Sequence, residues 1–280
     1  MRSIIEFGQE WYGDAAGPLR RADPLLMGAA FAFNALFALV PLAIAFVSLL
    51  TLFEVTQKIL DDLQQLINEA LPPDVALFLS SIINDSIGAL EENRIIIMFI
   101  TVPIALWSGS RAVYTVQKAL RLVENSHHES GYLRMRLTGI LVTFGAGVAV
   151  VVAYLVGVVG RIFFQAIAEE FGAQGQVIAQ LMMGAVAALW VFALLFAIYK
   201  WGAPSPVPRT AVTSALVTGI LIVGTRVAFG LVPSEAAASV AVFGAIGIIL
   251  IWLYGVGMVV VGAPIAIGSL LRVLQREQHR

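Results

Sequence analysis

Long apolar blocks constrain this chain more than any other feature of its sequence. Six of them run over residues 25–53, 95–114, 137–160, 177–199, 210–232 and 239–271. A helix needs about 20 apolar residues to cross a bilayer core, and each block reaches that length. Inside lipid a helix satisfies its own backbone donors and acceptors, so the blocks read as helices. Composition agrees. Hydrophobic residues are 59% of the 280 and charged residues 12%, against about a quarter charged in soluble domains. The reading is an all-α polytopic membrane protein: one transmembrane domain over residues 1–280, with six transmembrane helices and an external amphipathic helical hairpin over 54–93. A soluble enzyme and a disordered chain are excluded. The first block is too long for the core of a cleaved signal peptide. The last exceeds a straight span, so it is expected to tilt, protrude or break, with Gly255, Gly257 and Pro264 as the breaking points.

Basic residues set the orientation. Six spans put both termini on one side. Thirteen Lys and Arg residues fall there, among them Arg2, Arg20, Arg21, Arg111, Arg134, Arg136, Lys200, Arg272 and Arg280. Lys58, Arg94 and Arg161 fall on the other side, and Arg226 is embedded. The positive-inside rule then makes both termini cytoplasmic. Acids mirror this, with Glu54, Asp61, Asp62, Glu69, Asp74, Asp85, Glu91 and Glu92 all in the first external loop.

That loop reads as two amphipathic helices joined at Pro72-Pro73. The first aligns Ile59, Leu60, Leu63, Leu66, Ile67 and Ala70. The second, with Asp74 as N-cap, aligns Val75, Phe78, Leu79, Ile82, Ile83, Ile87 and Leu90 at helical spacing. The pair is expected to lie on the outer leaflet or to pack on itself above the bundle, as a cap or as a lid over a cavity. On the cytoplasmic side His127 and His128 are adjacent. Neighbouring positions do not share a helix face, so they read as a solvated loop and no metal site is expected. The chain has no cysteine, which excludes disulfides and thiolate chemistry. It has no phosphate-binding loop, so no cofactor is expected. Net charge is −1 and the cytoplasmic segments are short, so no nucleic-acid partner is expected.

Polar groups inside the blocks are few, and no Asp or Glu lies in any of them. Ionisable groups in spans are functional candidates by default, which singles out Arg226. It either snorkels to the outer interface or faces the bundle and meets an anionic headgroup. Asn34 shares a face of the first span with Pro41. Pro41, Pro103 and Pro264 each remove a backbone donor and read as packing kinks. The stretch Trp107-Ser108-Gly109-Ser110-Arg111 closes the second span; Trp and Arg suit an interface, and its small residues allow close helix contact. Gly244, Gly247, Gly255, Gly257 and Gly262 give the last span small faces for helix packing. The tentative ligand-binding set is Arg226, Asn34, Arg111 and Trp107. Internal similarity at the residue level is too weak to support an inverted-repeat transporter.

In this order and spacing the features resemble the YihY/BrkB family of bacterial inner-membrane proteins, once labelled ribonuclease BN. The residues that carry the likeness span about Pro18 to Leu271. They are the small-residue run into Pro41, the Trp107 to Arg111 stretch, Arg134 and Arg136, Tyr199 to Pro204, Phe243 to Gly247, Trp252 to Tyr254 and Gly262-Ala263. Ala38 and Pro264 depart from the polar Ser and the Glu expected at those places. The resemblance implies six spans, cytoplasmic termini and residence in the bacterial inner membrane.

Three functions compete. A transporter or flippase of a lipid or other anionic amphiphile fits the apolar bundle, Arg226, the absence of embedded acids and the hairpin, with membrane lipids as partners. A non-catalytic scaffold, with an envelope protein or a second copy as partner, fits the packing glycines. An enzyme is disfavoured: zinc nuclease chemistry needs clustered His and Asp, and the chain has three histidines, two of them adjacent.

Overall fold

The computed structural model describes residues 4–51, 61, 64–65, 67–68, 73–124, 132–148, 173–202, 208–230 and 244–278, and all of these except Asp23 are helical. In chain order the helices are α1 (Ile4–Ala22), α2 (Pro24–Thr51), α3 (Pro73–Glu124), α4 (132–148), α5 (Ala173–Gly202), α6 (Pro208–Gly230) and α7 (Gly244–Gln278). Among the described residues three stretches are long and apolar enough to cross a membrane: Pro24–Ser48, Ile95–Leu122 and Ile246–Gln278. Shorter apolar helices lie at Val75–Asp85, Ala188–Trp201 and Thr210–Thr225. Large apolar side chains face outward, including Ile95 and Phe99 of α3, Leu137, Leu141 and Phe144 of α4, and Ile220 and Val223 of α6. Apolar surface this extensive is a liability in water and the solvated face in lipid. The protein is an all-helical membrane protein.

Small residues dominate the interior. One cluster joins Ala22, Val116, Ala119, Leu120, Leu195, Tyr199, Ala211, Ala215, Val260 and Ile265. It gathers the end of α1, the end of α3, the end of α5, the start of α6 and the second half of α7, with Met27 and Phe31 of α2 packed against it. These are the helix ends that the charge pattern assigns to the basic side.

α1 lies ahead of the first apolar block, where hydropathy marks no element. Its polar residues have specific partners on α7. Trp11 Nε1 donates to the Ala266 carbonyl at 3.0 Å. Asp14 accepts from Arg272 at 2.9 Å and pairs with Arg276 at 3.3 Å. The corner from α1 to α2 is a single residue, Asp23, with φ at 41°. Aspartate tolerates this left-handed conformation better than most residues. Its Oδ1 accepts the Leu26 N–H at 3.2 Å, which caps α2, and Pro24 follows at the first helical position, where a missing N–H costs nothing. Asp23→Ala is expected to lose about 1 kcal/mol and Asp23→Asn to keep most of it. Thermal melts followed by circular dichroism check this; equal melting of both variants and parent removes the cap argument.

The external hairpin differs from expectation in two ways. First, α3 starts at Pro73 and runs without a break to Glu124 over 52 residues. Asp74 therefore sits inside the first turn and is not the cap. The sequence places Glu91 and Glu92 in the external loop, yet α3 runs through them; glutamate is a good helix former, and polarity alone does not end a helix. Second, the hairpin packs within the length of the bundle. Val75 and Leu79 are buried in one cluster with Ala32, Ile249 and Leu253, and Ile67 packs against it. Ala32 lies inside the span Pro24–Ser48, so this contact is neither above the bundle nor at its surface. The Gln64 amide donates to Asn84 Oδ1 at 2.9 Å, joining the two arms.

α2 and α3 form the most extensive helix pair.

α7 does not break at Gly255, Gly257 or Pro264; it is continuous over 35 residues. Its C-terminal end carries Arg272 and Arg276 to Asp14. Gly257 serves a helix crossing instead. A Cβ there would lie 2.7 Å from the Gly28 carbonyl oxygen, and a Cβ on Gly28 would lie 2.9 Å from the Met258 backbone nitrogen. α2 and α7 touch through their backbones at this point. α2 and α3 likewise continue through Pro41 and Pro103. Gly262 faces the Pro24 ring, 3.8 Å from its missing Cβ.

Candidate functional site

The stretch Trp107 to Arg111 lies in the second half of α3 and crosses α4 closely. A Cβ on Gly109 would collide with Thr143, and one on Gly139 would lie 2.9 Å from the Ser110 carbonyl oxygen. Each helix thus supplies a glycine to the other. Ser110 and Thr143 are buried between them, and each turns its hydroxyl back to its own helix: Ser110 to the Trp107 carbonyl at 2.7 Å, Thr143 to the Gly139 carbonyl at 2.8 Å. Their polar atoms are satisfied without widening the crossing.

The close approach delivers Arg136, one turn before Gly139, onto the indole of Trp107. The Arg136 guanidinium carbon stands 4.1 Å from the ring centroid, well inside cation–π range. Its Nη2 makes a long, 3.4 Å bond to the Trp107 carbonyl oxygen. Arg111, one turn along α3, stands 6.0 Å from the same centroid. Arg136 is 6% exposed and Trp107 53%. Two guanidiniums therefore share one indole, one buried and one open. Among the described residues neither meets a carboxylate within ion-pair distance. Arg136 Nε is buried and has no hydrogen-bond partner. Two uncompensated cations on one ring repel each other, and an oxyanion between them would relieve the repulsion and satisfy the free donor.

Of the residues singled out from sequence, the structure brings Trp107 and Arg111 together and leaves Asn34 elsewhere. The Asn34 amide donates to the Ala30 carbonyl on its own helix at 2.7 Å. Arg226 lies in α6, and its side chain is outside the described residues, as are His127, His128, Pro204 and Pro206 and the third block beyond residue 148. In the sequence Arg136 stands out only as a basic residue ahead of a span and as one of the marks of the family resemblance. Its signal was the glycine three residues later, matching Gly109 across the crossing, and that match is visible only once the helices are paired. Among the described residues no group of His, Asp and Glu could hold a metal ion.

A second polar group was also missed. The Tyr199 hydroxyl, buried near the end of α5, donates to the Val260 carbonyl at 2.9 Å and lies 3.0 Å from Thr218 Oγ1. It ties α5, α6 and α7 together through atoms that hydropathy treats as background.

The family model described as Virulence factor BrkB matches residues 16–271. No curated protein and no solved structure matches the chain. The matched stretch takes in both sides of the Trp107–Arg136 crossing and all the helices except most of α1 and the last turns of α7, and on this match the chain belongs to the BrkB family.

Proposed function

We propose that the protein moves a lipid or another anionic amphiphile across the bacterial inner membrane. In this reading the chain crosses six times, with both termini in the cytoplasm, and Arg111, Arg136 and Trp107 receive the headgroup. The observation that carries it is the pair of guanidiniums on one half-exposed indole, with no carboxylate beside them among the described residues. A cation in a span is costly unless it meets a partner, and an anionic headgroup is a partner that arrives from the membrane itself. The outward apolar face of α4, with Leu137, Leu141 and Phe144, begins one residue beyond Arg136 and offers the acyl chains a path. No bond is made or broken in such a step; headgroup and chains exchange leaflets together.

The test is reconstitution of the full chain in vesicles that carry a fluorescent phosphoglycerol or phosphocholine lipid, with a membrane-impermeant quencher reporting leaflet exchange. The expected result is faster exchange of the phosphoglycerol lipid than in protein-free vesicles. The Arg111→Gln/Arg136→Gln double variant is expected to slow it about tenfold, the loss of one or two charge-assisted hydrogen bonds. Exchange of neither lipid above the protein-free rate would defeat the transport reading.

A further inference from the structure

Arg111 and Arg136 are set on their helices between two contacts that tie α3 to α4. On one side lies the crossing of Gly109 and Ser110 with Thr143 and Gly139. On the other, the rings of Tyr114 and Tyr132 meet edge to face, with centroids 5.9 Å apart. Tyr114 stands one turn beyond Arg111 on α3, and Tyr132 one turn before Arg136 on α4. The frame that carries the two cations is therefore held on both sides. Both guanidinium carbons also stand close to one point, 4.1 Å for Arg136 and 6.0 Å for Arg111 from the Trp107 ring centroid. They are then at most about 10 Å apart, within a Debye length at ordinary ionic strength, so one bound anion feels both charges.

The number of charges decides what such a pair accepts. Arginine stays protonated at any working pH, so the pair carries two positive charges. Among the described residues no carboxylate lies within ion-pair distance of either. Arg136 is 6% exposed, and its Nε has no hydrogen-bond partner. A carboxylate or a phosphate diester brings one negative charge and leaves one cation uncompensated, which is costly away from water. A terminal phosphate monoester carries close to two negative charges above its second ionisation. It also presents three free oxygens where a diester presents two. It compensates both guanidiniums and still has an oxygen for the free Nε.

We infer that the Trp107 site prefers a terminal phosphate monoester, a dianion, over a phosphate diester. This rests on the transport reading and narrows its cargo to an amphiphile that ends in phosphate. The two arginines divide the work. Arg136, buried and stacked on the indole, holds any anion. Arg111, exposed beside it, reads the second charge. A soluble phosphate ester carries the same double charge, so the lipid and soluble sources have to be told apart by measurement.

The test compares two lipids with the same acyl chains. A short-chain diacylglycerol phosphate and its phosphomethanol ester are titrated calorimetrically into the purified full chain in non-ionic detergent. The titrations run at about pH 8, above the second ionisation of a monoester near 6, with free glycerol phosphate as a third probe. The parent is expected to bind the monoester lipid about tenfold tighter than the diester, the scale of one charge-assisted hydrogen bond. Arg111→Gln is expected to weaken the monoester more than the diester and bring the two within about twofold, whereas Arg111→Lys, which keeps the charge, retains most of the preference. Ligand-free Arg111→Gln is expected to melt at or above the parent temperature, since it removes one of two cations that repel each other across the ring. Free glycerol phosphate that binds as tightly as the monoester lipid, with the same loss in Arg111→Gln, keeps the monoester site and makes its source soluble. Two results overturn the inference: a tenfold preference that survives Arg111→Gln, or a lower melting temperature in that variant, which would mean that Arg111 already has an anionic partner. If the parent binds none of the three probes, the transport reading falls with it. If it binds both lipids equally, the monoester preference alone falls.

Discussion

Gly257→Ala is expected to destabilise the protein by about 1–3 kcal/mol, and Gly257→Leu to prevent recovery of folded protein from the membrane. The new Cβ would meet the Gly28 carbonyl oxygen, the Gly28 Cα and the Phe31 ring at 2.7, 3.0 and 2.9 Å. Backbone atoms cannot swing aside as a flexible side chain can, so the whole α2–α7 crossing must open. The control lies two residues away. A Cβ on Gly255 would meet nothing within 4 Å, and Gly255→Ala should gain up to about 1 kcal/mol from helix propensity alone. Melting temperatures of the two alanine variants should move in opposite directions. Equal shifts would show that α2 and α7 do not touch through these glycines.

Arg136→Gln is expected to weaken binding of anionic lipid about tenfold, and Arg136→Lys to restore only part of it. Lysine keeps the charge but not the planar group that stacks on an indole and donates in two directions. Trp107→Leu should cost less, because Arg111 and Arg136 keep their charge. In a double-mutant cycle the Arg136 and Trp107 effects should couple by about 0.5–2 kcal/mol, the range of a partly desolvated cation–π contact. Binding of a phosphoglycerol lipid to the four variants, measured alongside melting temperature, separates lost recognition from lost fold. Additive effects within error would mean that the indole and the guanidinium act independently and that the 4.1 Å approach plays no part in recognition.

The sequence by itself determined the solvent and much of the helix register. Hydropathy reports how each residue partitions, a local property, and it located the helical cores of α2, α5, α6 and α7. The charge pattern sorted helix ends onto two sides, and the tertiary structure gathers the ends of the basic side into one cluster. The family was legible for the same reason, since its marks are short stretches at fixed spacing.

Tertiary structure decided what depends on which helix meets which. Polarity suggested that the chain leaves the bundle over 54–93, whereas Val75 and Leu79 find apolar partners on α2 and α7 and draw the arm inward. α1 escaped notice because an amphipathic helix with acids at Glu6, Glu10 and Asp14 has too little net hydrophobicity to mark a block. Gly257 looked like a breaking point, yet a helix breaks at glycine only where nothing rewards continuing, and here the missing side chain lets two backbones touch. Arg226 drew the sequence argument because it is isolated in one dimension. Arg136 was passed over at the edge of a block, and only the crossing of Gly109 and Gly139 sets it on Trp107. Pairings of this kind join residues about thirty positions apart through steric fit, and no window of local composition contains that information.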